Sequence, residues 1–197
     1  MRYETIRLEH RVILEWVEPK SSVLDLGCGS GELLYVLIKE KQVRGQGIEI
    51  DDQAIYDCVA KGLNVFHGDI DSGLAEYSDK SFDYVVLNQS VQQVKHLNNV
   101  LLDSLRVGKK VIVGFPNFAS YAARFQLFFH GKVPVTASLP YAWYETPNLH
   151  FFSIADFLGY CRTAQVKVEK RAYLHTEKQV RLWPNLFAHT ALFLISK

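Results

Sequence analysis

Cysteine is scarce in this chain. Cys28, Cys58 and Cys161 are odd in number and scattered. They offer no disulfide framework and no paired thiols for zinc, and they suggest a reducing compartment. Charge of one sign is missing too: the net charge of +1 gives no electrostatic footprint for nucleic acid. No apolar run is long enough to span a bilayer, so no membrane partner is expected. Met1-Arg2-Tyr3-Glu4 lacks the apolar segment of a signal peptide, which leaves the cytoplasm as the expected location. There is no internal repeat and no low-complexity segment. What is present is 197 residues, 48% of them hydrophobic, enough for one domain spanning 1–197 with a full core.

The chain is organised around Ser22-Val23-Leu24-Asp25-Leu26-Gly27-Cys28-Gly29-Ser30-Gly31-Glu32. Val23, Leu24 and Leu26 make a short buried strand. Gly27, Gly29 and Gly31 then let the backbone turn sharply and a ligand come close. Leu33, Leu34, Leu37 and Ile38 follow at helical spacing, with Ser30 the expected N-cap. A nicotinamide dinucleotide loop would read G-x-G-x-x-G. Here the pattern is G-x-G-x-G, with Glu32 where the last glycine would fall. Asp25 adds negative charge that a pyrophosphate would oppose and an ammonium or sulfonium would welcome. Together these point to S-adenosylmethionine, or its product S-adenosylhomocysteine, as the cofactor.

Around this loop, strands and helices alternate. A helix is expected over 3–17, ended by Pro19, and strands over 22–26, about 43–50, 64–67, 81–87 and 110–115. Helices fall over about 31–41, from a cap at Asp52 to Lys61, and along Val91, Val94, Leu97, Val100, Leu101 and Leu105. Strands of nearly continuous apolar character between helices argue for a mostly parallel sheet covered on both faces. Residues 116–152 break the rhythm. They hold four prolines and ten large aromatics, with a helix over about 119–129, and form an ordered insertion. Ser153 caps a further helix to about Thr163. Strands at about 166–174 and 186–196 close the chain as an antiparallel pair. The expected fold is therefore α/β, three-layered, with a mostly parallel seven-stranded sheet and an antiparallel closing strand.

In open α/β sheets ligands bind beyond the carboxyl ends of the strands. Asp25, Gly27, Cys28 and Gly29 follow the first strand. Glu49 and Ile50 end the second, at the distance where a ribose-binding acid belongs. Asp69 and Ile70 follow the third: Asp69 can accept from an adenine amino group while Ile70 packs on the ring. Asn88 and Gln89 follow the fourth and can meet the methionine part or the substrate. Asp51, Asp52 and Asp71 fit capping or turn roles better.

This arrangement resembles the class I S-adenosylmethionine-dependent methyltransferase fold over residues about 20–115 and the closing strands. By that resemblance Asp25, Gly27, Gly29, Glu49 and Asp69 take cofactor positions. A narrower likeness spans nearly the whole chain. Val23 to Gly31, Gly114-Phe115-Pro116-Asn117-Phe118, Gly131-Lys132-Val133-Pro134-Val135 and Leu139 to His150 together resemble the MetW family of methionine biosynthesis proteins. That resemblance implies a role beside MetX, the homoserine O-acyltransferase, in support of homoserine acylation.

Obvious catalytic devices are absent, and no catalytic residue is assigned. Asn88-Gln89-Ser90-Val91 is not the Asn/Asp-Pro-Pro-aromatic signature of amino-methylating enzymes. No carboxylate cluster suits a catechol-type magnesium site, and no metal is expected. Methyl transfer needs mainly positioning and a nucleophilic lone pair, so a missing base does not exclude it. Asn117, Tyr121, Trp143, Glu145 and His150 are the polar and aromatic residues expected on the substrate or partner side. The aromatic insertion itself admits three roles: a cover over the cofactor pocket, a protein interface, or a satellite hydrophobic cluster.

Overall fold

The computed structural model describes residues 6–197. The first helix, α1 (Leu8–Trp16), precedes a β-α-β-α-β run: β1 (Ser22–Leu26), α2 (Glu32–Lys41), β2 (Arg44–Glu49), α3 (Asp52–Ala60) and β3 (Val65–His67). Then follow β4 (Phe82–Asn88), α4 (Leu97–Val107), β5 (Gly108–Pro116), α5 (Tyr121–His130), α6 (Ile154–Thr163) and β6 (Lys167–His175). A two-residue strand β7 (Lys178–Gln179), a single helical turn α7 (Pro184–Phe187) and β8 (Thr190–Ser196) close the chain. The part of the expected first helix at 3–5 lies outside the described residues.

One sheet carries all the strands in the order β3-β2-β1-β4-β5-β8-β6-β7. The strands from β3 to β5 are mutually parallel. β8 runs antiparallel to both β5 and β6, so the chain's last strand inserts between them. The expected seven strands are all present. The eighth, β7, comes from a tight reversal after His175, where Thr176 takes a positive φ of 51°.

Period-two alternation sorts the core onto the two faces of the sheet. Leu24, Val85, Leu87, Val111, Val113 and Phe193 face α4 and α6 and pack with Val100, Leu101, Leu105, Ile154 and Phe157. Val23, Tyr84, Val86, Ile112 and Leu194 face the other way, against Val12, Ile13 and Val17 near α1 and Leu33 and Leu37 of α2. Phe193 forms the centre of an aromatic group, with Phe157 at 4.8 Å, Phe115 at 5.9 Å and Tyr173 at 5.9 Å.

Local expectations shift in four places, each for a physical reason. α2 is preceded by Gly31 in the left-handed region, not by a Ser30 cap. The cap of α3 is Asp51, one residue early, whose carboxylate accepts from Ala54 N at 2.8 Å. α4 begins at Leu97, so Val91 and Val94 lie in the preceding loop. That loop starts with Gln89 at a φ of +63° and ends where Asp71 accepts the Lys95 and His96 amides, both at 2.8 Å. The last strand starts at Thr190, because Pro184 at N1 opens the α7 turn, a position where its missing N–H costs nothing.

Candidate functional site

The carboxyl ends of β1, β2, β3 and β4 surround one crevice of about 550 Å³. The bend after β1 forms its floor. Gly27, Gly29 and Gly31 all have positive φ, at 71°, 53° and 76°, where L side chains are strained. Added side chains would meet different things. A Cβ on Gly27 would come 2.8 Å from Ser90 Cβ, and one on Gly31 would come 2.8 Å from the Cys58 sulfur. A Cβ on Gly29 would meet nothing within 4 Å. Two of the glycines are thus demanded by packing as well as by conformation. The middle one is demanded by conformation alone.

Glu49 holds this bend in shape. Its Oε2 accepts the Gly29 amide at 2.7 Å, and its Oε1 accepts Ile50 N at 2.8 Å and Asp51 N at 3.0 Å. The carboxylate is 9% exposed, yet it still lines the crevice. Asp25, at the tip of the preceding strand, is 3% exposed. Burial, with the nearby Glu49 charge adding to it, raises its carboxyl to about 7. Burial, then Asp25, also pushes the Cys28 thiol well above its ordinary value, which leaves it a neutral, unreactive wall. Asp69 stands exposed two residues past β3, its Oδ1 accepting Asp71 N at 2.9 Å. Ile50 and Ile70 present apolar surface at the rim. Asn88 lies over Gly114, and its Oδ1 is buried without a partner.

All ten residues expected on the cofactor side line this crevice: Asp25, Gly27, Cys28, Gly29, Glu49, Ile50, Asp69, Ile70, Asn88 and Gln89. The five expected on the substrate or partner side do not. Asn117 is fully buried, and its amide is committed to backbone. It donates to Asn185 O at 3.1 Å and Ala188 O at 2.9 Å, and accepts from Ala119 N and Ile154 N. Tyr121 packs its ring near Phe187 and His189. Trp143 and Glu145 are exposed in the loop after α5, with Trp143 edge-on to Tyr144. His150 lines a separate apolar cavity of about 340 Å³ beside α4 and α6. Its Nε2 is buried without a partner.

Sequence reasoning missed the near wall. Arg7 and His10, beside and within α1, line the crevice, as do Gln93, Val94 and Lys95 from the loop after β4. His10 is buried, and desolvation lowers its ring below the ordinary histidine value, against the raising effect of Glu9. The signal was available: His10 stands three and seven residues before Ile13 and Val17, on the stripe that α1 turns inward. Among the described residues no group of His, Cys, Asp and Glu is placed to hold a metal ion. No described helix is long and apolar enough to cross a membrane.

A glycine bend between acidic strand tips, on this strand order, defines the class: the fold is that of the class I S-adenosylmethionine-dependent methyltransferases. The chain superimposes on a SAM-dependent methyltransferase from Archaeoglobus fulgidus with a TM-score of 0.69 at 17% identity, covering 98% of this chain and 94% of that one. A SAM-dependent methyltransferase from Thermotoga maritima gives a TM-score of 0.67 at 19% identity, covering 96% and 88%. The family profile described as "Methionine biosynthesis protein MetW" matches residues 7–195, and the chain belongs to that family. Over an alignment of 201 positions that covers 95% of this chain, it is 32% identical to the "Bifunctional methionine biosynthesis protein MetXA/MetW" of Rhodopirellula baltica. It covers 32% of that relative, and it spans about a third of the length of the curated relatives it matches.

Proposed function

We propose that this chain binds S-adenosylmethionine and acts with the homoserine O-acyltransferase MetX, in the cytoplasm, to support acylation of homoserine for methionine synthesis. The observation that carries the cofactor half is the crevice itself, which three carboxylates at neighbouring strand tips line together with a bend of three glycines in five residues. Glu49 keeps one lone-pair site, on Oε2, beyond its three amide bonds, and that site suits a ribose hydroxyl. Asp69 suits the adenine amino group, between the apolar rims of Ile50 and Ile70. Asp25 suits the positive charge of the amino-acid tail or sulfonium, and burial makes that charge pairing strong. Bound there, the cofactor would supply an electrophilic methyl group. The chain's own residues orient it and exclude water.

The partner half is supported by the bifunctional relative, whose name joins MetXA and MetW in one chain. S-adenosylmethionine derives from methionine, so binding it gives the acylation step a feedback input. Coupling requires that the ligand change the partner's activity or affinity. The test is acyltransferase activity with and without this chain, across a titration of S-adenosylmethionine. Activity that rises with the chain and responds to the ligand is expected. Activity indifferent to the chain refutes the partnership, and indifference to the ligand alone refutes only the feedback.

A second reading is a genuine methyltransferase acting on a small molecule. The amide residues Asn88 and Gln89 at the end of β4 favour it, since they line the crevice beside the acidic strand tips and can meet an acceptor. Turnover of labelled S-adenosylmethionine with cell metabolites would establish it. Stoichiometric binding without product would exclude it.

A further inference from the structure

A second concavity, of about 880 Å³, lies beyond the opposite edge of β5 from the crevice, and the two share no lining residue. Its floor is apolar: Ile154, Ala155 and Leu158 from α6, Ala172 and Tyr173 from β6, Val180, and Leu186 from α7. Its charged members are Arg124 of α5, Arg171 of β6 and Arg181 after β7, and no acidic residue lines it. That is unusual in a chain whose 22 basic and 21 acidic residues nearly balance. Among the described residues none of the three arginines has a carboxylate partner. Arg124 bonds only backbone oxygens, donating to Ala119 O at 2.7 Å and Asn185 O at 3.4 Å.

The rim continues as exposed aromatic surface. Trp183, 73% exposed, stacks on Phe187, which faces Tyr121 of α5 at 6.3 Å. One turn along the same helix, Phe125 packs on Phe129 at 4.7 Å, and Phe128 beside it is 82% exposed. A groove with cations at its sides and aromatics running out from its end is too extended for a small anion to cover. It has the composition of a protein interface, where arginine and aromatics concentrate, and an apolar patch of this extent marks an interaction site.

We propose that this groove and the α5 aromatic face are the docking surface for the acyltransferase, and that they receive a segment of it with carboxylates flanking apolar side chains. The inference rests on the partnership proposed above and adds the surface and its charge logic. Unpaired arginines steer a partner of opposite sign, and the floor then buries its apolar side chains.

The test uses the full chain and the homoserine acyltransferase of the same genome. Kd is measured for the unaltered chain, for R171E/R181E and for F128A, from about 50 to 300 mM salt. All the altered side chains are exposed, so folding is checked by circular dichroism and by retained S-adenosylmethionine binding in the crevice. The unaltered complex should weaken as salt rises. The double reversal should bind about 10-fold more weakly or worse at low salt and lose that salt dependence. F128A should weaken binding at every salt concentration. No association of the unaltered chain would overturn the partnership and this inference together. Association with unchanged Kd in R171E/R181E would overturn the groove alone.

Discussion

Replacing Asp25 by Asn tests the electrostatics of the crevice most directly. Its carboxyl moves from an ordinary 3.8 to about 7 on folding. The folded chain therefore holds the proton more tightly than the unfolded chain between those values. Stability falls as pH rises from about 4 to about 7 and levels off above, by at most ~4 kcal/mol at 1.36 kcal/mol per unit. Asn carries no such cost, so D25N should unfold at higher urea than the unaltered chain at pH 8, by on the order of 1–4 kcal/mol, and at nearly the same urea at pH 4.

Ligand binding carries the opposite sign. A cationic ligand needs the ionised carboxylate, which is about a tenth populated at pH 6 and about nine-tenths at pH 8. Affinity of the unaltered chain for S-adenosylmethionine should then rise about tenfold across those two units from this group alone. The ligand's amino group also titrates, and it does so in both experiments. That contribution is common to both proteins, so the difference between their pH profiles reports Asp25 together with the crevice groups its charge acts on. Titration calorimetry in two buffers of different ionisation enthalpy counts the proton released at pH 6. Identical pH slopes in the two proteins, or no proton release from the unaltered chain, would refute the charge pairing.

Glu49→Gln should weaken S-adenosylmethionine binding by about 1–3 kcal/mol, since a charged acceptor is lost from the bend; equal affinity by calorimetry would refute its role. Gly31→Ala should cost about 1–3 kcal/mol in urea unfolding, because left-handed strain adds to contact with Cys58 and Leu63. Gly29→Ala, with open space around the added Cβ, should cost only about 1–2 kcal/mol of stability. Equal losses at the two positions would show that packing against α3 does not matter. Asn117→Ala should destabilise by about 2–4 kcal/mol, by removing the bond to the Ala188 carbonyl and leaving the Asn185 carbonyl with only the longer bond from Arg124. Its S-adenosylmethionine affinity should stay unchanged, and a selective loss of binding would place Asn117 in the site instead.

What was legible in the sequence is what local chemistry determines. The glycine bend needs backbone that only glycine adopts cheaply, and apolar strands between helices leave little choice but a parallel sheet. Strand ends then fall along one edge of the sheet, so Asp25, Glu49, Asp69 and Asn88 come to line one crevice without knowledge of any long-range contact. What was not legible depends on contacts between distant segments. Asp71 takes the amides of Lys95 and His96, 24 and 25 residues away. That bond keeps Val91 and Val94 out of α4 and turns Gln93 and Lys95 into crevice wall. Asn117 follows the fifth strand just as Asn88 follows the fourth, but β8 returns beside β5. Asn117 therefore meets the Ala188 and Asn185 carbonyls of that returning chain, and its side chain fastens the fold at the place where position alone suggested a substrate. His10 was legible only in part: its place on the inward stripe could be read, but an inward histidine on an amphipathic helix looks like core until α1 is seen to border the crevice. The arginine groove was the least visible, because its three cations come from segments 47 and 10 residues apart, and only the pairing of β6 with β8 brings them to one side of the sheet.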